Sequence, residues 1–118
     1  MRRIREYKLF KQAHTLVLGI YETTKEYPEK EKFGIISQMR RAAYSIPANM
    51  IEGNVKSEKE FIRFLKISLG SCEELRYYLL LSRDLEYITE KIFNNLDQKA
   101  LYVVKMIKNL IKKVESSH

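Results

Sequence analysis

A run of polar side chains at helical spacing is the part of this sequence best suited to do chemistry. Residues 38–53 read QMRRAAYSIPANMIEG. At about 100° per residue, one stripe of a helix in this run is wholly polar, and it holds Gln38, Arg41, Ser45, Asn49 and Glu52. Amides, hydroxyls and opposite charges at this spacing suit a hydrogen-bonded network between helices or subunits. The other interpretation is a solvated helix face.

Pro47 lies inside the same run. Proline has no N–H, and its ring crowds the carbonyl four residues earlier, here Ala43, so the sequence predicts a second helix kinked at Pro47. Ser45 and Asn49 are candidates to hydrogen-bond the backbone groups that the proline frees. Gly53 at the end of the run predicts a left-handed helix stop.

Two adjacent arginines, Arg40 and Arg41, follow Met39 in this run. Neighbouring residues of a helix point about 100° apart, so the two guanidinium groups cannot grip one phosphate together. One of them is a candidate to face a partner subunit. The alternative is a surface arginine beside a carboxylate, a pair worth less than about 1 kcal/mol.

Residues with catalytic or metal-binding chemistry are few and scattered. Di-iron bundles need Glu-x-x-His motifs, but Lys11 stands at that spacing before His14, and the other histidine is His118. Cys72 is the single cysteine and lies on a predicted apolar face, where an inert buried thiol is expected. The sequence therefore predicts no catalytic residues, no metal site and no cofactor, and we expect that the protein is not an enzyme.

Hydrophobic periodicity predicts the four helices that must position these residues. The first spans residues 8–27 and ends before Pro28, and the second spans 34–53. The third begins after a capping box formed by Ser57 and Glu60, and a fourth runs over residues 90–115. Gly70 and Ser71 in the middle of the third helix predict that a neighbouring helix approaches closely there.

Four helices joined by short links pack most simply as an antiparallel up-down-up-down four-helix bundle. The fold class is therefore all-α. A chain of 118 residues can build one hydrophobic core, so a single domain over residues 1–118 is expected. One cysteine, no membrane-length apolar run and a start, MRRIREYKLF, without a signal-peptide core together favour a cytoplasmic protein with no membrane partner.

The run from Gln38 to Gly53 resembles the bacterial four-helix bundle family that includes the rRNA intervening-sequence proteins. The resemblance extends upstream to Tyr27-Pro28 with Glu31, Phe33 and Gly34. Downstream it extends to FIRFL at residues 61–65 and GSCEEL at residues 70–75, so it covers most of the chain.

This resemblance implies a four-helix bundle that assembles into ring-like homopentamers. It also implies kinship with the basic accessory proteins of diversity-generating retroelements, which associate with nucleic acid and a reverse transcriptase. The implied partners are therefore other copies of the chain, RNA or DNA, and a reverse transcriptase or another protein. In such an assembly the oligomer-forming and structural residues are expected in the family run, as Gln38, Arg40, Arg41, Ser45, Pro47, Asn49, Glu52 and Gly53.

The net charge of +7 is concentrated at one end of the predicted bundle. In an antiparallel bundle the start of helix one, the link between helices two and three and the end of helix four share this end, here called the basic pole. With Lys8 and Lys11, the pole carries twelve Lys or Arg against five carboxylates, which accounts for the whole excess. Its candidate nucleic-acid-binding residues are Arg2, Arg3, Arg5, Lys56, Lys59, Arg63, Tyr102, Lys105, Lys108, Lys112 and Lys113.

Cations mixed with an aromatic ring suit a phosphate backbone with occasional base stacking. The first interpretation is a homo-oligomeric bundle that binds RNA or DNA through the basic pole without chemistry of its own. A second is a protein-interaction or accessory scaffold module whose basic surface meets an acidic protein. A third is that the lysines only offset the helix macrodipole and keep the protein soluble.

Overall fold

The structure, a computed structural model, describes residues 2–117. Met1 and His118, which belong to the predicted 1–118 domain, lie outside the described residues. The described chain forms four long helices and no strand: α1 (Lys8–Thr24), α2 (Ile35–Asn54), α3 (Glu58–Asp84) and α4 (Glu90–Ser116). Short 3-10 turns at Ile4–Glu6 and Glu29–Glu31 precede α1 and α2. The predicted all-α four-helix bundle is confirmed.

The core lies between the four helices, where the periodic apolar residues meet. The stripes expected on α1 and α3 are buried in full, and they consist of Leu9, Ala13, Leu16, Val17, Ile20, Thr24, Phe61, Leu65, Ser68, Cys72, Leu75 and Leu79. On α4 the expected stripe is buried except for Leu110, which is half-buried. Side-chain periodicity therefore located the core correctly on these helices.

In two pairs of consecutive helices, residues later in one helix contact residues earlier in the other. Between α2 and α3, Ser82 Oγ lies 3.5 Å from Met39 Sδ, and the Ser68 hydroxyl donates to the Ile46 carbonyl at 2.8 Å. Between α3 and α4, Arg76 pairs with Asp97 at 2.8 Å, and the earlier Cys72 donates to the later Ala100 carbonyl at 3.3 Å. The up-down-up-down arrangement of all four helices stays a prediction.

The links differ in detail from those predicted. α1 ends at Thr24, three residues earlier than expected, and the chain then turns so that the buried Tyr27 ring lies 5.2 Å from the ring of Tyr87. At the start of α3, Ser57 Oγ accepts the Glu60 N–H at 3.2 Å, as the capping box predicts. The carboxylate of Glu60 is bound instead by Arg63 at 2.9 Å.

The left-handed stop predicted at Gly53 is wrong. α2 continues to Asn54, and no glycine among residues 2–117 has a positive φ. A Cβ added at Gly53 would lie 2.5 Å from the Cβ of Phe64, so the missing side chain permits close packing of α2 on α3. The left-handed residue is Glu86, with φ of 63°, in a turn that closes the end of α3.

Gly70 departs from the prediction, and Pro47 lies within the helix. A Cβ at Gly70 would meet nothing within 4 Å, so the predicted close approach of a neighbouring helix within this chain is wrong. α2 runs through Pro47 as a continuous helix, with the proline ring buried. The kink at Pro47 stays a prediction.

Cys72 is buried between α3 and α4, where its Sγ donates to the Ala100 carbonyl at 3.3 Å. Burial raises the pKa of the thiol to about 12. At neutral pH the sulfur therefore stays protonated, and a protonated, buried thiol is a poor nucleophile and metal ligand.

The Gly53→Ala variant tests the close packing of α2 on α3. An added methyl group overlaps Phe64, so we expect the free energy of unfolding to fall by about 1–3 kcal/mol. Urea denaturation followed by circular dichroism measures this change. Ser37→Ala, at an exposed position of the same helix, is the control and should change stability by less than about 0.5 kcal/mol. Equal stability of the two variants would contradict the proposed role of Gly53.

Candidate nucleic-acid interface

The structure places the start of the chain against the link between α2 and α3. Arg2 donates to the Asn54 side-chain oxygen at 3.3 Å, and the Asn54 amide donates back to the Arg2 carbonyl at 3.1 Å. The Arg2 guanidinium also lies 4.0 Å from the centre of the Phe61 ring and pairs with Glu58. These contacts hold two of the three segments of the basic pole together.

The end of α4 completes the pole. One surface groove is lined by residues of the chain start, of α3 and of α4, among them Arg2, Glu58 and Lys113. A second groove lies between Lys8 of α1 and Asn109 of α4. The molecule is 47 Å long, and the pole lies at one end of it. The link between α1 and α2 and the link between α3 and α4 lie at the other end. The structure therefore brings the three predicted segments together.

Part of the predicted charge is neutralised within the chain. Arg2 is largely covered by the contacts just described, and its ion pair with Glu58 offsets its charge. Arg63 stacks 4.6 Å from the centre of the Phe64 ring and pairs with Glu60. The hydrogen bond from Arg63 lowers the pKa of the Glu60 carboxyl. Arg2 and Arg63 thus hold local structure, and Arg3 lies 3.6 Å from Glu6 in an exposed pair.

Lysines carry most of the charge that remains free. Among the ion pairs of residues 2–117, Lys25 with Glu22 is the one that contains a lysine, and arginines bind the other paired carboxylates. The exposed cations of the pole without an ion pair in residues 2–117 are Arg5, Lys8, Lys11, Lys56, Lys59, Lys105, Lys108, Lys112 and Lys113. Of these, Lys56 lies 5.6 Å from the centre of the Phe64 ring.

An exposed aromatic ring lies beside these lysines. Tyr102 of α4 is 42% exposed, and the Lys8 ammonium of α1 lies 5.6 Å from its ring centre. Lys105 follows one turn later and lines a surface groove with Tyr102, Gln98 and Leu101. Lysines of α1 and α4 therefore lie beside an exposed aromatic ring. Sites that bind single-stranded nucleic acid combine cations for the phosphates with a ring for base stacking.

The polar stripe of α2 forms a network with α3 inside one chain. Arg41 donates to Gln38 at 3.2 Å and to Glu74 at 2.8 Å, and the Tyr78 hydroxyl donates to the same Glu74 carboxylate at 3.0 Å. Burial raises the pKa of the Tyr78 hydroxyl, and its hydrogen bond to Glu74 adds to this effect. Sequence reasoning missed Glu74 and Tyr78, because nothing in their local pattern shows which residue of α2 they face.

The remaining stripe residues bond mainly to their own helix. Ser45 Oγ donates to the Ala42 carbonyl at 2.9 Å, and the Asn49 amide donates to the Ser45 carbonyl at 2.7 Å. Both side chains serve backbone groups near Pro47, although neither acceptor is the Ala43 carbonyl, the group that Pro47 leaves without its helical donor. Glu52 is exposed and has no ion pair within residues 2–117.

Arg40 and Arg41 point to different sides of α2, as predicted. Arg40 reaches α1, where its Nε donates to Thr24 Oγ1 at 2.9 Å and its guanidinium lies 4.6 Å from the centre of the Tyr21 ring. A cation near the last turn of α1 also offsets the helix dipole. Arg41 reaches α3 through Glu74. Both arginines therefore have partners inside the chain.

Other site types find no support in residues 2–117. This part of the chain contains no group of three His, Cys, Asp or Glu side chains that could hold a metal ion. His14 is exposed on α1. Across the same residues, every helix is too short or too polar to cross a membrane.

Comparisons with known proteins agree with this architecture. No curated protein matches the chain. One similar solved structure is the 1.70 Å crystal structure of a protein of unknown function from the S23 ribosomal protein family of Bacteroides thetaiotaomicron. The two sequences are 26% identical, and the structures superpose with a TM-score of 0.79. The matched region covers 88% of this chain and 98% of the Bacteroides chain. The sequence model for the 23S rRNA-intervening sequence protein matches residues 5–109. The chain therefore belongs to the 23S rRNA-intervening sequence protein family.

Proposed function

We propose that this protein is a non-enzymatic homo-oligomer that binds nucleic acid through its basic pole. The observation that carries the proposal is the row of exposed lysines on α4, namely Lys105, Lys108 and Lys112, which have no ion pair within residues 2–117. Unpaired, hydrated ammonium groups along one helix suit a chain of phosphates, because each contact releases condensed counterions.

RNA is the first ligand to test. The name of the family refers to 23S rRNA, and the open ring of Tyr102 beside Lys8 and Lys105 can stack on an unpaired base. Lysine contacts to phosphates give affinity without sequence preference, so the expected binding is general for single-stranded RNA.

Self-association is the second part of the proposal, with the homopentamer that the resemblance implies. Large apolar side chains on several faces support it, since Phe33 is 88% exposed and Leu18 and Tyr44 are also exposed. A closed ring uses two different surfaces of each subunit, and these side chains lie on different elements. Repetition around a ring would concentrate the lysines of each basic pole.

An acidic protein partner, for example a reverse transcriptase with an acidic surface, is the second candidate. Val55 supports it, because this side chain is 69% exposed within the basic pole beside Lys56. An exposed apolar residue among cations suits a protein interface better than it suits a phosphate backbone.

Salt dependence of RNA binding tests the main proposal. With about five phosphate contacts, affinity for a fluorescent 30-nucleotide RNA of mixed sequence should fall about 100-fold between 50 and 200 mM salt. Fluorescence anisotropy measures this affinity. The triple variant Lys105→Glu, Lys108→Glu, Lys112→Glu should lose binding because it places three carboxylates along the path of the phosphates.

The matched control reverses three exposed lysines elsewhere, Lys30→Glu, Lys91→Glu and Lys99→Glu. It changes the net charge equally and should retain most of the affinity. Equal losses in the two triple variants would show that only total charge matters. No binding at 50 mM salt would contradict nucleic-acid binding, and capture of polyglutamate but not RNA would support an acidic protein partner.

Light scattering tests the ring. We expect a mass of about 70 kDa, that of five 14.1-kDa chains. If the polar stripe of α2 also contacts a neighbouring subunit, the Asn49→Ala and Glu52→Ala variants should lower the mass or the melting temperature. The stripe has no part in assembly if both variants keep the wild-type mass and melting temperature.

A further inference from the structure

The outer side of α3 carries an exposed surface with a gap at its centre. Gly70 lies in the middle of this 27-residue helix, and a Cβ added there would meet nothing within 4 Å. Tyr77 is 56% and Ile67 40% exposed beside it. At about 100° per residue, Gly70 and Tyr77 point away from the buried stripe of α3. We call these three residues the Gly70 face.

Glycine is a poor helix former because it loses more backbone freedom than any other residue. At Gly53 the close contact with Phe64 explains the absence of a side chain, but nothing in the described chain requires that absence at Gly70. A bare position between apolar neighbours leaves room for a large side chain of another molecule. The contact that explains Gly70 is therefore to be sought outside the chain.

A second exposed apolar surface lies on α1 and α2. Leu18 is 57%, Tyr44 48% and Tyr21 37% exposed. The Arg40 guanidinium of α2 lies 4.6 Å from the centre of the Tyr21 ring of α1. Tyr44 follows Arg40 by one turn on the same side of α2, so its ring projects near Tyr21 and Leu18. We call Leu18, Tyr21 and Tyr44 the Tyr44 face.

The centres of the two faces lie at the same height along the bundle. Contacts between α2 and α3 pair later residues of one helix with earlier residues of the other. The Ser68 hydroxyl donates to the Ile46 carbonyl at 2.8 Å, which fixes the height of both residues. Tyr44, two residues before Ile46, is therefore level with Gly70, two residues after Ser68.

The flanking aromatic rings of the two faces also match in height. Arg41 pairs with Glu74 of α3 at 2.8 Å, and the preceding Arg40 contacts Tyr21 of α1. Tyr21 is thus level with the turn of α3 that contains Glu74 and leads to Tyr77. The large side chain of one face and the gap of the other therefore share one height, and so do the exposed tyrosines beside them.

We propose that the Tyr44 face of one copy of this chain packs on the Gly70 face of the next copy, with the ring of Tyr44 on Gly70. The long axes of the two copies run in the same direction, so residues of equal height meet. This inference rests on the ring proposed above and names its two contact surfaces. A contact between two different surfaces is heterologous, and its repetition builds a ring where the rotation closes.

Charges beside the two faces fit the same arrangement. Glu52 of α2 and Lys59 of α3 are exposed and have no ion pair within residues 2–117. Gly53 packs on Phe64, so Glu52 lies only about 8 Å higher along the bundle than Lys59, a span that two long side chains can bridge. Between copies, Glu52 of one chain can therefore pair with Lys59 of the next. Apolar shape and charge thus select a second copy as the occupant.

The proposed contact leaves the lysines of α4 uncovered, because it uses α1, α2 and α3. Long axes that run in the same direction place every basic pole on the same side of the ring. The exposed tyrosines suit such a contact, since the ring is apolar and the hydroxyl can stay hydrated.

The Gly70→Leu variant tests the contact by light scattering of the full chain at micromolar concentration. Its side chain projects into open space in the single chain and favours helix, so helical circular dichroism should be kept. It fills the gap for Tyr44, and every contact in a ring is the same. We therefore expect the mass to fall about fivefold, to that of one 14.1-kDa chain. Asn94→Leu, at an exposed position of α4, should keep the wild-type mass.

Cross-linking tests which surfaces meet. Ala48 is exposed one turn after Tyr44 and is level with Ile67 of the Gly70 face. Co-expressed Ala48→Cys and Ile67→Cys chains, treated with a short bismaleimide, should form covalent dimers that contain one chain of each kind. Each variant alone should form none, because neither position meets itself and Cys72 is buried. Dimers in either variant alone, or none in the mixture, would overturn the contact.

The contact and the ring can fail separately. A wild-type mass of five chains that Gly70→Leu leaves unchanged overturns the contact and keeps the ring. A different number of chains that Gly70→Leu dissociates contradicts the pentamer and keeps the contact. A single-chain wild type contradicts both, and RNA affinity of the same samples reports separately on the basic pole.

Discussion

Close packing between α2 and α3 at Gly53 is the constraint on which the rest of the described structure depends. With no side chain at Gly53, the ring of Phe64 lies directly against the backbone of α2. The link that follows is consequently short, and it presents Asn54 and Phe61 to the guanidinium of Arg2. Apolar packing of α2 on α3 thus brings the segments of the basic pole together and fixes the position of Arg2.

Arginine and lysine side chains have different roles in this bundle. Apart from Arg5, the arginines of residues 2–117 bind carboxylates or aromatic rings inside the chain, as Arg76 does with Asp97 and Arg41 does with Glu74. This follows from the planar guanidinium, which donates several hydrogen bonds in fixed directions and stacks on rings. Lysine is a flexible, strongly hydrated point charge, so it stays at the surface with its charge available. The net charge is therefore carried to the outside mostly by lysine.

Much of this fold follows from the sequence because helical periodicity is a local property. The apolar stripes, the Ser57 cap and the four helices could be predicted, since each depends on residues a few positions apart. The roles of Gly53 and Gly70 could not be predicted from helix propensity. They depend on the distance from each glycine to the neighbouring helix, which only the structure shows. The partners of Arg40 and Arg41 were missed for the same reason, since Thr24 and Glu74 lie on other helices.

The sequence predicts where the candidate interface lies, but it does not show which of its cations are already held in ion pairs. Charge counting found the pole, but it could not show that Arg2 and Arg63 are committed to Glu58 and Glu60. Nor could it show that Lys8 of α1 lies over Tyr102 of α4. The proposed interface is therefore narrowed to the exposed cations of the pole that have no ion pair within residues 2–117.

Lysine footprinting in the presence of RNA tests directly whether the lysines of α4 bind nucleic acid. Acetylation of the protein with and without single-stranded RNA, read by mass spectrometry, reports which ammonium groups are covered. We predict several-fold protection of Lys105, Lys108 and Lys112, with Lys30 and Lys91 unchanged, because electrostatic contact excludes the reagent only where phosphates lie. Uniform protection of all lysines, or none at the three on α4, would contradict it.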